Sequence, residues 1–119
     1  MRDWKAIPIL NDEYKVIVCW GTPAKIRKVL LSWHHPIGEL DSSLLNHRGV
    51  CFYHKDCHPV IALPSYPRKP AEIATLAHEA VHAIDDIMQK INETPTRGEL
   101  FAHSVGAIVR LTLSLQNIN

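Results

Sequence analysis

The chain has 119 residues, of which 13 are basic and 12 are acidic, so its formal net charge is +1. This length suits one domain spanning residues 1–119 with a core that needs no disulfides. The near balance of charge argues against a nucleic-acid partner or a membrane-surface partner. No apolar run approaches the roughly 18 residues of a membrane span.

The cysteine and histidine content adds two expectations. Three cysteines, an odd number, are more typical of a reducing compartment than of a disulfide framework. The N-terminus also lacks the apolar stretch of a secretory signal, so we expect a cytoplasmic protein. The eight histidines are many for this length and are the compositional indication of a metal.

The N-terminal half predicts one strand and one helix. Residues 1–13 are interpreted as an extended arm that leans on the core. Residues 14–20 are rich in β-branched and aromatic side chains, as strands are. Thr22 followed by Pro23 is typical of a helix start, so we expect a helix over residues 23–33.

The C-terminal half predicts a hairpin and two helices. Residues 50–54 and 59–63 are two short strand candidates with a polar turn between them. Apolar residues recur every three or four positions through residues 71–91 and again through residues 97–115, which is the period of an amphipathic helix. The pattern predicts an α+β fold with a small antiparallel or mixed sheet, one helix before it and two after it.

The predicted helix over residues 71–91 contains an HExxH motif formed by His78, Glu79 and His82. Positions four apart lie above one another on one helix face, so the two imidazoles can bind a single cation. Glu79 lies to one side, where it can act as the general base on a water molecule. Because the motif alone is short, an amphipathic helix with two exposed histidines is the alternative.

A catalytic zinc site needs three protein ligands and an open position. Glu99 is our candidate for the third ligand, because it begins the last predicted helix beside the small residues Ala102 and Gly106, which would allow close packing. A capping box with Thr96 is the alternative role for Glu99. His103, four residues further on the same face, is the runner-up ligand.

Two further sets of residues could support such a site. Asp85 or Asp86 could accept the second ring N–H of a ligating histidine. The hydrogen-bond donor to the oxyanion could be Tyr53, Tyr66 or His58.

A second metal site is the remaining possibility from the spacing of ligand types. It would comprise Cys51, His54, Cys57 and His58, although this spacing matches no common zinc module and Cys51 fits the buried face of a strand. The pair His34 and His35 is a weak candidate because adjacent side chains point in different directions.

The HExxH motif, with residues 75–77 before it and residues 99–103 opening the next helix, resembles the zincin metallopeptidases and, within them, the gluzincins. It looks most like the minimal zincin-like domains of bacteriophages and mobile elements. The resemblance covers about residues 48–110.

The resemblance implies a zinc-dependent peptidase that cleaves a specific protein substrate. Carried over from that family, His78, His82 and Glu99 bind Zn²⁺ and Glu79 activates water. The interval between His82 and Glu99 is shorter than in larger gluzincins, and the chain has no second lobe to form a deep cleft. There are two alternatives to the peptidase. The first is a catalytically silent, zincin-derived binding or regulatory protein, and the second is a metal-sensing or storage module that binds several ions.

Overall fold

The computed structural model describes residues 3–36, 49–91 and 98–114. Four strands and three helices follow one another in these ranges: β1 (Trp4–Ile9), β2 (Tyr14–Trp20), α1 (Pro23–Ser32), β3 (Val50–His54), β4 (Cys57–Leu63), α2 (Pro70–Lys90) and α3 (Glu99–Leu113). The fold is α+β, with one helix before the later strands and two after them. This confirms the expected fold class. None of these helices is both long enough and apolar enough to cross a bilayer.

The four strands form one mixed sheet in the order β1-β2-β4-β3. Strands β2 and β4 are parallel, whereas the two outer pairs, β1 with β2 and β3 with β4, are antiparallel. Among the residues that the structure describes, β3 is therefore an edge strand, with no strand paired to its outer side. An edge of this kind can pair with another extended chain.

The N-terminal arm is extended and packs on the core through Ile7 and Ile9, as expected, and in addition residues 4–9 form a strand, β1, that pairs with β2. The turn between the two strands contains Leu10, Asn11 and Asp12 with φ values of 54°, 56° and 71°. Asn and Asp tolerate this left-handed conformation, but Leu does not favour it. Since no glycine marks this turn, the hairpin had no strong signal in the sequence.

The two central strands are buried on both faces, as strands between two helical layers must be. On one face of the sheet, Val16, Val18, Ile61 and Leu63 pack against α2 and α3. On the opposite face, Ile17, Cys19, Val60 and Ala62 pack against α1 through Ile26, Val29 and Leu30. Alternate residues of one strand thus serve two separate cores, which produces three layers with the sheet in the middle.

Helix α2 begins where its sequence predicts, with Pro70 in the first turn. The Glu72 carboxylate accepts the backbone N–H groups of Arg68 and Lys69, at 3.0 and 2.9 Å. These two hydrogen bonds hold the pKa of Glu72 below its usual value. They also satisfy donors at a helix start that has no serine or threonine cap.

The edge strand β3 lies beside α2. A Cβ atom placed on Gly49, just before β3, would lie 2.9 Å from Leu63 Cδ2 and from Thr75 Cγ2. At the other end of the hairpin, the Lys90 ammonium donates a hydrogen bond to the Cys57 carbonyl. Thr75 and Lys90 lie towards opposite ends of α2, so residues 49–57 follow the helix in its own direction. The HExxH turn lies between these two contacts.

Candidate metal centre

The imidazoles of His78 and His82 converge. Both residues are exposed on α2, and their Nε2 atoms are 3.3 Å apart. The ring centroids are 5.0 Å apart and the ring planes are inclined by 80°. The two histidines therefore present one nitrogen each to the same point in space, as the four-residue spacing predicts.

The distance between the two nitrogens fits a cation with tetrahedral coordination. Two nitrogens bound to Zn²⁺ at about 2.05 Å, with a tetrahedral angle between them, lie about 3.3 Å apart. The observed distance of 3.3 Å matches this edge without any rotation of the side chains. An N–H···N hydrogen bond between two neutral rings is the other arrangement that brings the nitrogens together, and it requires opposite tautomers.

Glu79 lies next to this pair. One carboxylate oxygen of Glu79 and one ring nitrogen from each histidine all lie within 4.8 Å of one another, and Glu79 is only 8% exposed. Within the described ranges no cationic side chain pairs with this carboxylate. A cation held by the two histidines would therefore lie next to this acidic side chain.

Glu99 and His103 do not belong to the group. Both are exposed, at the start of α3, and among residues 3–36, 49–91 and 98–114 the only group of three or more candidate ligands is His78, Glu79 and His82. The loop that joins α2 to α3, residues 92–97, lies outside the described residues, and so does Thr96.

The start of α3 also corrects two expectations about Glu99. Gly98 is the N-cap, so Glu99 occupies the first helical position and not the third position of a capping box. A Cβ atom on Gly106 would have no neighbour within 4 Å, and Ala102 is exposed. The small residues therefore do not bring α3 close to another backbone.

Two of the proposed supporting residues have other roles. The Tyr66 hydroxyl donates to the carbonyls of Thr112 and Leu113, at 2.9 and 3.1 Å, where α3 ends. It therefore satisfies free carbonyls at a helix terminus. The Asp86 carboxylate accepts from Lys90, at 2.6 Å.

His58 lies on the other face of the sheet. Its ring contacts Trp33, beside α1, and its Nδ1 accepts the N–H of Lys15 at 3.3 Å. Desolvation by burial, followed by the charges of Lys90 and Lys15, lowers the pKa of His58. A role for His58 as the oxyanion donor is therefore wrong, whereas Tyr53 is exposed on the edge strand β3 and remains a candidate.

The four-residue cluster in the hairpin does not come together as a metal site. Cys51 packs against the core on the α2 face, whereas Cys57 Sγ lies 3.8 Å from His54 Nδ1 at the turn. That nitrogen already accepts the N–H of Asp56 at 3.2 Å. His34 and His35 do not form a ligand pair either, since His35 is buried and its Nε2 donates to the His58 carbonyl at 2.7 Å.

The sequence interpretation missed Lys90 and Gly49, which hold the edge hairpin against α2. The signal for Lys90 was present, because Asp86 and Lys90 have the four-residue spacing of a helical ion pair. No signal for Gly49 was available from spacing alone.

Comparison with known proteins adds no family to this geometry. No protein-family model matches the chain, and no curated protein and no solved structure matches it.

Proposed function

We propose that this protein is a zinc-dependent metallopeptidase of the cytoplasm that hydrolyses a peptide bond in a specific protein substrate. The observation that supports the proposal is the 3.3 Å separation of the His78 and His82 Nε2 atoms beside a largely buried Glu79. It brings two nitrogen ligands on exposed side chains next to a largely buried carboxylate. Glu99, or His103 in its place, is our proposed third ligand, and this role requires the start of α3 to lie closer to the histidine pair than it does here.

The chemistry divides between the cation and the chain. A bound Zn²⁺ supplies a Lewis acid and lowers the pKa of water towards about 7. The Nε2 atoms of His78 and His82 hold the cation, which requires both nitrogens to be unprotonated. The Glu79 carboxylate takes a proton from the attacking water and passes it to the leaving amine. Glu79 is therefore unchanged at the end of the reaction.

The edge strand β3 can align the substrate. Within the described part of the chain no strand pairs with its outer side, and an extended peptide can add to such an edge through main-chain hydrogen bonds. Because β3 follows α2 past the HExxH turn, a peptide bound there would run beside Glu79.

The decisive experiment replaces Glu79 by Gln and measures hydrolysis and metal content together. We expect one Zn²⁺ per chain in both proteins, and a loss of hydrolysis of at least about 10²- to 10⁴-fold in Glu79→Gln, which cannot accept the proton. A peptide library read by mass spectrometry provides the substrate. Asp12→Asn, which removes one exposed carboxylate from the turn between β1 and β2, is the matched control and should keep most of the activity.

A second function has one observation in its favour. Glu99 is outside the ligand group, so a two-histidine site without a strong third ligand would suit a catalytically silent binding or regulatory protein. In that case wild-type protein and Glu79→Gln would bind the same partner equally well and neither would hydrolyse it. Elemental analysis that found more than one metal per chain would instead favour a storage module.

A further inference from the structure

The hairpin segment, residues 49–57, is attached to α2 at both of its ends. Near its start, the backbone of Gly49 lies so close to α2 that a Cβ atom would be 2.9 Å from Thr75 Cγ2. Near its end, the Cys57 carbonyl accepts a hydrogen bond from Lys90. The hairpin is therefore held against the helix on either side of the HExxH turn, at the residue before β3 and at the first residue of β4, which pairs with His54 of β3.

The Lys90 contact is well shielded from water. The Lys90 ammonium also pairs with the Asp86 carboxylate at 2.6 Å, and the two side chains are only 16% and 12% exposed. A lysine ammonium has three donors, so it can neutralise Asp86 and hold Cys57 at the same time. Lys90 lies in the last turn of α2, where the helix dipole also favours a positive charge.

The metal pair and the ion pair have the same spacing on α2. His78, His82, Asp86 and Lys90 recur at intervals of four, so each lies one turn beyond the preceding one and about 40° further round the helix. The Asp86–Lys90 ion pair therefore lies on the two turns of α2 that follow the candidate ligands.

The thiol of Cys51 shows how near the edge strand comes to the site. The pKa of Cys51 is raised to about 12, mainly by burial and also by the carboxylates of Glu79 and Asp86, against the opposing charge of Lys90. Cys51 thus lies within electrostatic reach of both the proposed base and the ion pair. A displacement of β3 would change the geometry beside Glu79.

We propose that Lys90 is a positioning residue, which ties the Cys57 carbonyl to Asp86 and so fixes the distance between the edge strand and the metal pair. Its kinetic consequence depends on the proposed peptidase function. An extended peptide paired to β3 would be aligned on Glu79 only while this distance is kept. A misplacement of about 1 Å can cost about 10²-fold in rate.

The test compares Lys90→Met, Lys90→Arg and wild type by hydrogen exchange and by kinetics. In Lys90→Met we expect the amides of residues 50–57 to exchange at least about tenfold faster, since local opening no longer breaks the Lys90 contact. On a cleaved library peptide, kcat/KM should fall about 10- to 100-fold with the zinc content unchanged. Lys90→Arg, which still donates to both acceptors, should restore both properties.

Lys25→Met is the matched control. It removes the exposed Lys25–Asp3 ion pair, at 3.1 Å, on α1, and should change neither exchange in residues 50–57 nor kcat/KM. Because Lys90→Met leaves Asp86 unpaired, Asp86→Leu with Lys90→Met is a second variant that removes both charges. We expect this double variant to fold stably and still to show fast exchange in the hairpin.

Unchanged exchange in residues 50–57 of both Lys90→Met and the double variant would overturn the attachment. Fast exchange with unchanged kcat/KM would overturn the positioning role. If wild type hydrolyses no peptide while exchange responds as expected, the peptidase proposal and the kinetic role of Lys90 fail together and the attachment stands.

Discussion

Two histidine-rich regions of this chain use the same side chain in opposite ways. On α2, the Nε2 atoms of His78 and His82 face each other across 3.3 Å and lie open to solvent. Around the end of the β3–β4 hairpin, the rings of His35, His54 and His58 each use a nitrogen in a hydrogen bond with the backbone. The first pair can bind a cation, whereas the second set stabilises the fold.

The difference shows that the number of histidines is a poor guide to metal binding. A ring nitrogen that already accepts a backbone N–H, as His54 Nδ1 and His58 Nδ1 do, has no lone pair left at that atom for a metal. What matters is which ring nitrogens remain available and whether they converge.

The largest expected effect is on zinc binding, which should depend on the histidines of α2 and not on those near the hairpin. His78→Ala or His82→Ala should weaken zinc binding by more than about 100-fold, which exceeds the effect of losing an outer-shell partner. His54→Asn, which keeps an acceptor for the Asp56 N–H, should bind zinc as wild type does. Elemental analysis and competition with a chromophoric chelator measure this. If His54→Asn lost zinc to the same extent, the distinction between the two groups of histidines would be wrong.

A smaller effect concerns pH and the hairpin region. Desolvation by burial lowers the pKa of His35 below 6.5, opposed by its hydrogen bond to His58 and reinforced by the charge of Lys90. The unfolded chain therefore binds a proton near pH 6.5 that the folded chain does not. The contribution of His35 to the free energy of unfolding should therefore be constant above about pH 6.5. It should decline as the pH falls below that value.

Denaturant unfolding of the zinc-free protein at several pH values between 5 and 8 measures this decline. The contribution of one proton cannot exceed about 1.4 kcal/mol per pH unit. His35→Gln keeps a donor near the position of Nε2 but does not titrate, so its slope should be shallower than that of wild type. An identical slope would show that His35 is protonated in the folded chain.

The smallest effect is chemical and leaves the fold intact. Burial raises the pKa of Cys19 and of Cys51 to about 12, so neither forms a thiolate at neutral pH. Cys57, at the hairpin turn, is partly exposed. Brief treatment of the native protein with iodoacetamide should therefore modify Cys57 first, as mass spectrometry of proteolytic peptides would show. Early modification of Cys51 would mean that β3 does not stay against α2.

Much of the fold could be predicted because its signals are local. The periodicity of residues 71–91 is set by the geometry of a helix, and the β-branched and aromatic side chains of residues 14–20 are typical of a strand. The first strand was missed because its turn contains Leu10, Asn11 and Asp12 in place of glycine. The roles of Tyr66 and His58 were not predictable either, since their partners are 43 to 47 residues away in the chain.

The sequence by itself determined that His78 and His82 converge, because a four-residue interval on a helix places two side chains on one face whatever surrounds it. Only the tertiary structure decided that β3 is the outermost of the described strands and lies beside α2, that Lys90 holds Cys57, and that Glu99 is exposed outside the ligand group. The physical reason is that these contacts join elements far apart in the chain, and their distances depend on how the sheet and helices pack.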